Sequence, residues 1–206
     1  MKKESTKERI LTEAVKLFAK NGYEAVTVEQ IALAVGIKAP SLYKHYKSKK
    51  DIFRSILLRM EQMDYDGAEA YGMPEGTLGE MPDKYEQTQL EQICRYTEAQ
   101  FRYWTEDEFA SAFRQMLTVE QFRNKEMSDL CSQYLGTGPM EYMQDIFTQM
   151  TGSSDAGAQL ALEFYAPMYM LYSLYDAQPQ DKKNKAAAML HSHLEEFSER
   201  FAADHK

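Results

Sequence analysis

Apolar residues return every three or four positions along most of this chain, the period of an α-helix. Ile10, Leu11, Ala14, Val15, Leu17 and Phe18 make one such face. Ser5-Thr6-Lys7-Glu8 precedes it with the S-x-x-E form of a capping box, and Asn21-Gly22 follows as a stop. The pattern predicts a helix from about Ser5 to Lys20. A second begins at Thr27, where Thr27 and Gln30 form another box, and runs through Ile31, Ala32 and Val35 to Gly36. A third should cover Pro40 to about Tyr46, with proline in the first turn, where its missing N–H is not needed. A fourth follows Ser48, carries Ile52, Phe53, Ile56, Leu57, Met60 and Met63, and should reach Asp66 or Ala70.

Residues 72–82 hold three glycines and two prolines, which cannot sustain a helix. Beyond them helical stretches are predicted near 83–104, 106–117, 119–135, 139–150, 156–177 and 181–203. Gly136, Gly138-Pro139 and Gly152-Ser153-Ser154 separate some of these, and Pro167 should kink the fifth. No alternating pattern is long enough to build a sheet. The expected fold class is therefore all-α: an N-terminal three-helix domain containing a helix-turn-helix, joined to a larger helical domain. The boundary is placed between residues 1–54, with the helix-turn-helix at about 27–46, and residues 55–206.

Charge changes this picture. The 206 residues carry a net −8, which argues against a nucleic-acid binder. Residues 1–54, however, hold 12 Lys and Arg against 6 Asp and Glu, a net of +6, and the remainder carries −14. Such asymmetry suits a chain that meets a polyanion at one end only. No stretch has the roughly 20 apolar residues that a bilayer span needs, and the N-terminus lacks the apolar core of a signal peptide. The expectation is a cytoplasmic protein with no membrane role. Cys94 and Cys131 show no metal-ligand spacing, and a disulfide between them is not implied.

The second and third helices carry the chemistry. Two short helices about a tight turn at Gly36-Ile37 are what a helix-turn-helix needs. Ile31, Ala32, Val35 and Leu42 would hold them together. The outer side then offers Lys38, Ser41, Tyr43, Lys44 and His45, followed by Tyr46 and Lys47. Lys44 can reach guanine O6 and N7, and Ala39 can touch a thymine methyl. Ser41, Tyr43 and Tyr46 suit phosphate oxygens. Lys49 and Lys50 oppose the dipole of the fourth helix by roughly 0.3–1 kcal/mol. A phosphate bound there would turn that penalty into a clamp, and Thr27 offers a second anchor.

The run from Thr27 to Ala32, and then Gly36-Ile37-Lys38-Ala39-Pro40-Ser41-Leu42-Tyr43-Lys44-His45-Tyr46-Lys47-Ser48-Lys49-Lys50-Asp51-Ile52-Phe53, resembles the tetracycline-repressor (TetR) family. The likeness is close over residues 5–57. It implies a homodimer that binds double-stranded DNA at a palindromic operator, pairing through the helices near 156–177 and 181–203. Carried over by position, Lys38, Ala39, Ser41, Lys44 and His45 would face bases, and Thr27, Tyr43, Tyr46 and Lys49 phosphates. It also implies a repressor released by a small apolar or aromatic inducer. The alternative is a helix-turn-helix regulator that acts through protein contacts with no small-molecule effector.

The C-terminal part is rich in aromatics and methionine, which serve a core or dimer interface as well as a ligand cavity. Trp104, Phe113, Tyr134, Tyr165 and Tyr169 are the candidates for ligand contact. No phosphate loop, zinc-binding helix or nucleophile elbow is present, so no catalytic residue, metal or cofactor is expected. His191 and His193 lie two apart, on different sides of a helix, and with His205 are expected at the surface.

Overall fold

The computed structural model describes residues 5–123, 125–179 and 183–204, and among them the chain is a succession of α-helices with no strand. They are α1 (Thr6–Asn21), α2 (Val28–Val35), α3 (Ala39–Leu42), α4 (Lys49–Ala70), α5 (Pro82–Gln87), α6 (Leu90–Glu106), α7 (Glu108–Glu120), α8 (Lys125–Leu135), α9 (Thr137–Thr151), α10 (Ser154–Ala177) and α11 (Asn184–Asp204). The all-α class is as expected. None of the described helices is long and apolar enough to cross a membrane.

The predicted helix starts are closed by side chains. Ser5 with Glu8 and Thr27 with Gln30 form reciprocal capping boxes at α1 and α2. Each such cap is worth about 1 kcal/mol. Ser48 accepts from the Asp51 N–H while the Asp51 carboxylate accepts from the Lys47 N–H, which closes the start of α4 the same way.

Several boundaries moved. α3 is regular only over Ala39–Leu42 and not to Tyr46, although the His45 and Tyr46 N–H groups still donate to the Leu42 carbonyl. The stretch at 83–104 is two helices, because Thr88 is extended and folds its hydroxyl back onto the Lys84 carbonyl. The stretch predicted from 119 begins at Lys125, after a turn at 121–123. α10 runs on through Pro167, whose missing N–H leaves the Glu163 carbonyl without its usual donor. His205 lies outside the described residues.

The chain divides into two compact units. One takes the chain up to Asp64 together with Glu106–Cys131; the other takes Tyr65–Thr105 and the chain from Ser132 onward. The first is larger than residues 1–54 because α7 packs along α1. Its core is Ile10, Ala14, Val15, Phe18, Ile31 and Leu42 with Phe113, each essentially unexposed. Arg59 lays its guanidinium over the Phe109 ring at 4.0 Å and reaches the Thr12 hydroxyl.

In the second unit α9 and α10 form a tight antiparallel pair. Gly157 allows the approach, since a Cβ there would strike Thr148. Phe164 meets Phe147 and Phe197 edge to face and Phe147 is tilted against Phe197, with ring centroids 5.0–5.5 Å apart. The break at 72–82 has no helix before Pro82, as expected, but it is tied down. Tyr85 donates its hydroxyl to the Gly76 carbonyl at 2.9 Å, and Tyr142 donates to that of Pro74 at 2.8 Å. Both cysteines are free thiols.

Candidate nucleic-acid interface

Gly36 makes the turn between α2 and α3. It sits at φ 77°, ψ 30°, left-handed backbone that favours glycine, and the Gly36 and Ile37 N–H groups fold back onto the Leu33 and Ala32 carbonyls. Ile31, Ala32, Val35 and Leu42 are all at most 2% exposed, so the four expected internal contacts form the hinge of the motif. Arg9 of α1 donates to the Val35 carbonyl at 2.7 Å and so caps the C-terminus of α2 from outside.

The opposite side of α3 is open. Lys38, Tyr43, Lys44 and His45 are exposed, and Ala39 and Ser41 are half-buried. Positions 38, 41, 44 and 45 recur at three- and four-residue spacing and share one face. Thr27 is also exposed, its hydroxyl accepting from the Gln30 N–H. These residues offer ammonium, imidazole and hydroxyl groups to an anionic or base-edge surface.

Two of the expected phosphate contacts sit differently. Tyr46 is 2% exposed, and its hydroxyl donates to the Lys7 carbonyl at 3.2 Å. Burial, aided by Asp51, pushes its phenol up to about 12. It buttresses α1 and does not face solvent. The spacing signals this, since Tyr46 lies four residues after buried Leu42 and shares its face. Lys49 is half-buried: its ammonium donates to the Tyr23 and Glu24 carbonyls at 2.8 and 3.2 Å and lies 4.4 Å from the centre of the Tyr23 ring. That ring sits 5.1 Å from both Phe18 and Phe53. Between α2 and the first turn of α4, Lys38, Lys44, Lys47 and Lys50 are exposed.

The candidate ligand residues fall in different places. Trp104 and Tyr165 are buried, and Tyr134 is half-buried with its ring edge-on to Trp104 at 6.2 Å. The Tyr165 hydroxyl donates to the Leu135 carbonyl at 3.1 Å. Phe113 is fully buried and belongs to the first unit, whereas Tyr169 is 44% exposed on α10. His191 is exposed, pairing with Glu98 at 2.6 Å, which holds its imidazolium above the usual range. His193 is half-buried, and its Nε2 donates to the Phe164 carbonyl. Among the described residues no cluster of His, Cys, Asp and Glu could hold a metal ion.

Residues 10–56 match the model of the tetR family of bacterial regulatory proteins. Over 48 residues, 23% of its length, the chain is 42% identical to the biofilm operon icaADBC HTH-type negative transcriptional regulator IcaR of Staphylococcus epidermidis. It is 45% identical over 47 residues to IcaR of Staphylococcus aureus. The match spans only about a quarter of those relatives' length, 26% and 25%. The fold is shared more widely. A transcriptional regulator of Aquifex aeolicus superposes with a TM-score of 0.66 at 16% identity, over 93% of this chain and 98% of that one. The complex of SmeT with triclosan superposes at 0.63 and 16% identity, over 93% and 90%. The signature and the fold agree: residues 10–56 belong to the tetR family of bacterial regulatory proteins, and the chain as a whole shares the fold of solved transcriptional regulators.

Proposed function

We propose that the chain is a sequence-specific DNA-binding repressor that a small molecule releases from its operator. The observation that carries the DNA-binding half is the exposed face of α3. Lys38, Ser41, Lys44 and His45 stand together on and beside a short helix pinned by buried Leu42, in a segment of net charge +6. Lys38, Ala39, Ser41, Lys44 and His45 read base edges; Thr27, Tyr43 and Lys49 hold phosphates. Tyr46 acts behind them by fixing α1 against the turn after α3.

Two copies pair through α10 and α11. The outer side of α10 leaves Leu162, Tyr169, Met170 and Leu174 exposed at helical spacing, an apolar stripe that a second copy would cover. On α11, Ala188, Met189 and Ser192 line a shallow groove of about 390 Å³ edged by Lys185, His193 and Glu196. A dimer puts two recognition helices on a palindrome, with half-sites about one helical turn apart.

The inducer reading rests on the aromatic group of Trp104, Tyr134 and Tyr165, and on the fold shared with a regulator solved with triclosan. Such a ligand acts only if it binds the free and DNA-bound forms unequally. Trp104 is the only tryptophan, so its fluorescence reports binding directly.

The test is fluorescence anisotropy of the full chain on duplexes selected by it from a random library, across a salt series. Binding that is selective and falls steeply with salt supports the reading. Binding that is absent, or indifferent to sequence, sinks it.

A further inference from the structure

Phe109, Phe113, Met116 and Leu117 turn the apolar face of α7 inward, and Glu120 continues that same stripe. It is 1% exposed. Its Oε1 accepts from the Tyr23 N–H at 3.2 Å and lies 3.3 Å from the Arg123 guanidinium. Its Oε2 is buried with no hydrogen-bond partner. A buried polar atom left unpaired costs about 1–3 kcal/mol, and a buried ion pair gives little net stability in return. Stability does not explain this carboxylate.

What Glu120 does hold is the turn between α1 and α2. Gly22 lies at φ 86°, and a Cβ there would collide with both the Arg123 guanidinium and the Glu120 carboxylate. The backbone of the turn therefore lies against α7, and the next residue is Tyr23. Glu120 fixes the Tyr23 N–H. The Tyr23 carbonyl and ring face in turn hold the Lys49 ammonium. An ammonium has three donors. Two go to the Tyr23 and Glu24 carbonyls, and the Glu24 carboxylate stands 4.0 Å away, largely exposed. One donor is left over, and the Lys49 side chain, at the first residue of α4, keeps 22% of its exposure.

We infer that Glu120 is a positioning residue for phosphate: through Tyr23 it sets where Lys49 and the first turn of α4 grip the nucleic acid. α7 then tunes DNA affinity from a residue that touches no DNA. The inference rests on the DNA-binding reading above.

The experiment uses the full chain and a duplex selected from a random library, with Glu120→Leu, Glu120→Gln, Lys49→Ala and the double variant Glu120→Leu/Lys49→Ala. Leucine fills the buried volume without charge and should keep the fold; glutamine keeps an acceptor for the Tyr23 N–H. Glu120→Leu and Lys49→Ala should each weaken binding about tenfold at low salt. Both should lower the slope of log K against log salt by about 0.9, one phosphate contact. The double variant should be no worse than Lys49→Ala alone, and Glu120→Gln should bind within about twofold of wild type. A head that was only destabilised would lose active fraction with its salt slope intact. An unchanged slope, additive losses, or Glu120→Gln as harmful as Glu120→Leu would overturn the inference. Should Glu120→Leu melt below the assay temperature, the same slope and cycle are read on Tyr23→Leu, which keeps the backbone bonds and removes the ring face beside the Lys49 ammonium. Absence of salt-dependent binding by wild type is a different result, and it removes the DNA-binding reading itself.

Discussion

The two compact units differ in where local and distant closures fall. In the first, three helix starts are closed by side chains three or four residues away: Ser5 with Glu8, Thr27 with Gln30, and Ser48 with Asp51. In the second, long side chains close distant loops: Tyr142 reaches back 68 residues to Pro74, and Tyr165 reaches 30 residues to Leu135. Local closure defines where a helix begins. Distant closure defines which loop lies on which helix, and it stores the geometry in a few phenol hydroxyls. The first unit has distant ties as well, Tyr46 to the Lys7 carbonyl, Arg9 to the Val35 carbonyl and the Tyr23 N–H to Glu120, so both kinds of closure meet behind its exposed face.

The largest effects should come from the aromatic cores, and they should be alike in both units. Phe18→Ala and Phe147→Ala each empty a fully buried position and should cost about 3–5 kcal/mol by urea denaturation. A loss under about 1 kcal/mol for either would mean that its unit is not held by its core.

Next comes a dependence on pH that starts in α4. Burial pushes the Asp64 carboxyl up to about 7, from an ordinary value of 3.8. The folded pKa lies above the unfolded one, so the folded state binds the proton more tightly. Stability from this group is full below about pH 4 and is lost as pH rises to about 7. The loss is up to about 4 kcal/mol. Urea midpoints at pH 5 and pH 8 should differ by less in Asp64→Asn than in wild type. Equal differences would show that Asp64 titrates normally.

Lys44→Ala should relax base preference at one position by about 1–3 kcal/mol, whereas Tyr43→Ala should weaken binding on all sequences alike. Selectivity unchanged in Lys44→Ala would displace Lys44 from the base-reading set. The smallest effect belongs to the distant closures. Tyr142→Phe removes one half-buried hydrogen bond and should cost about 1 kcal/mol while making residues 72–81 more sensitive to limited proteolysis. Thr27→Ala should cost a similar amount with no new cleavage there, so the pair tests whether local and distant closures differ in what they protect.

The parts legible in the sequence were those decided locally. Both capping boxes, the Gly22 and Gly36 stops and the four buried hinge residues follow from spacings of three and four. The burial of Tyr46 was hard to read because its hydroxyl acceptor, the Lys7 carbonyl, is 39 residues away. Nothing near Tyr46 names that partner, and only its spacing from Leu42 hints at burial. Thr88 divides the long stretch after residue 82 because its hydroxyl competes for a backbone carbonyl, a choice that helical periodicity does not register. Arg9 and Glu120 act on backbone groups 26 and 97 residues away. Glu120 did leave a trace, a carboxylate on an otherwise apolar helical stripe.

The membership of Glu106–Cys131 in the first unit bears on how such proteins can be recombined. A protein engineer who wishes to graft this head onto a foreign sensor, or to exchange it for one with another operator, cannot cut once near residue 54. The head is written on two separate pieces of the chain. A chimera that carries only the first piece leaves behind the Phe109 ring beneath Arg59 and the carboxylate behind Tyr23. Successful swaps would have to carry α7 along with the helix-turn-helix, as a two-part cassette.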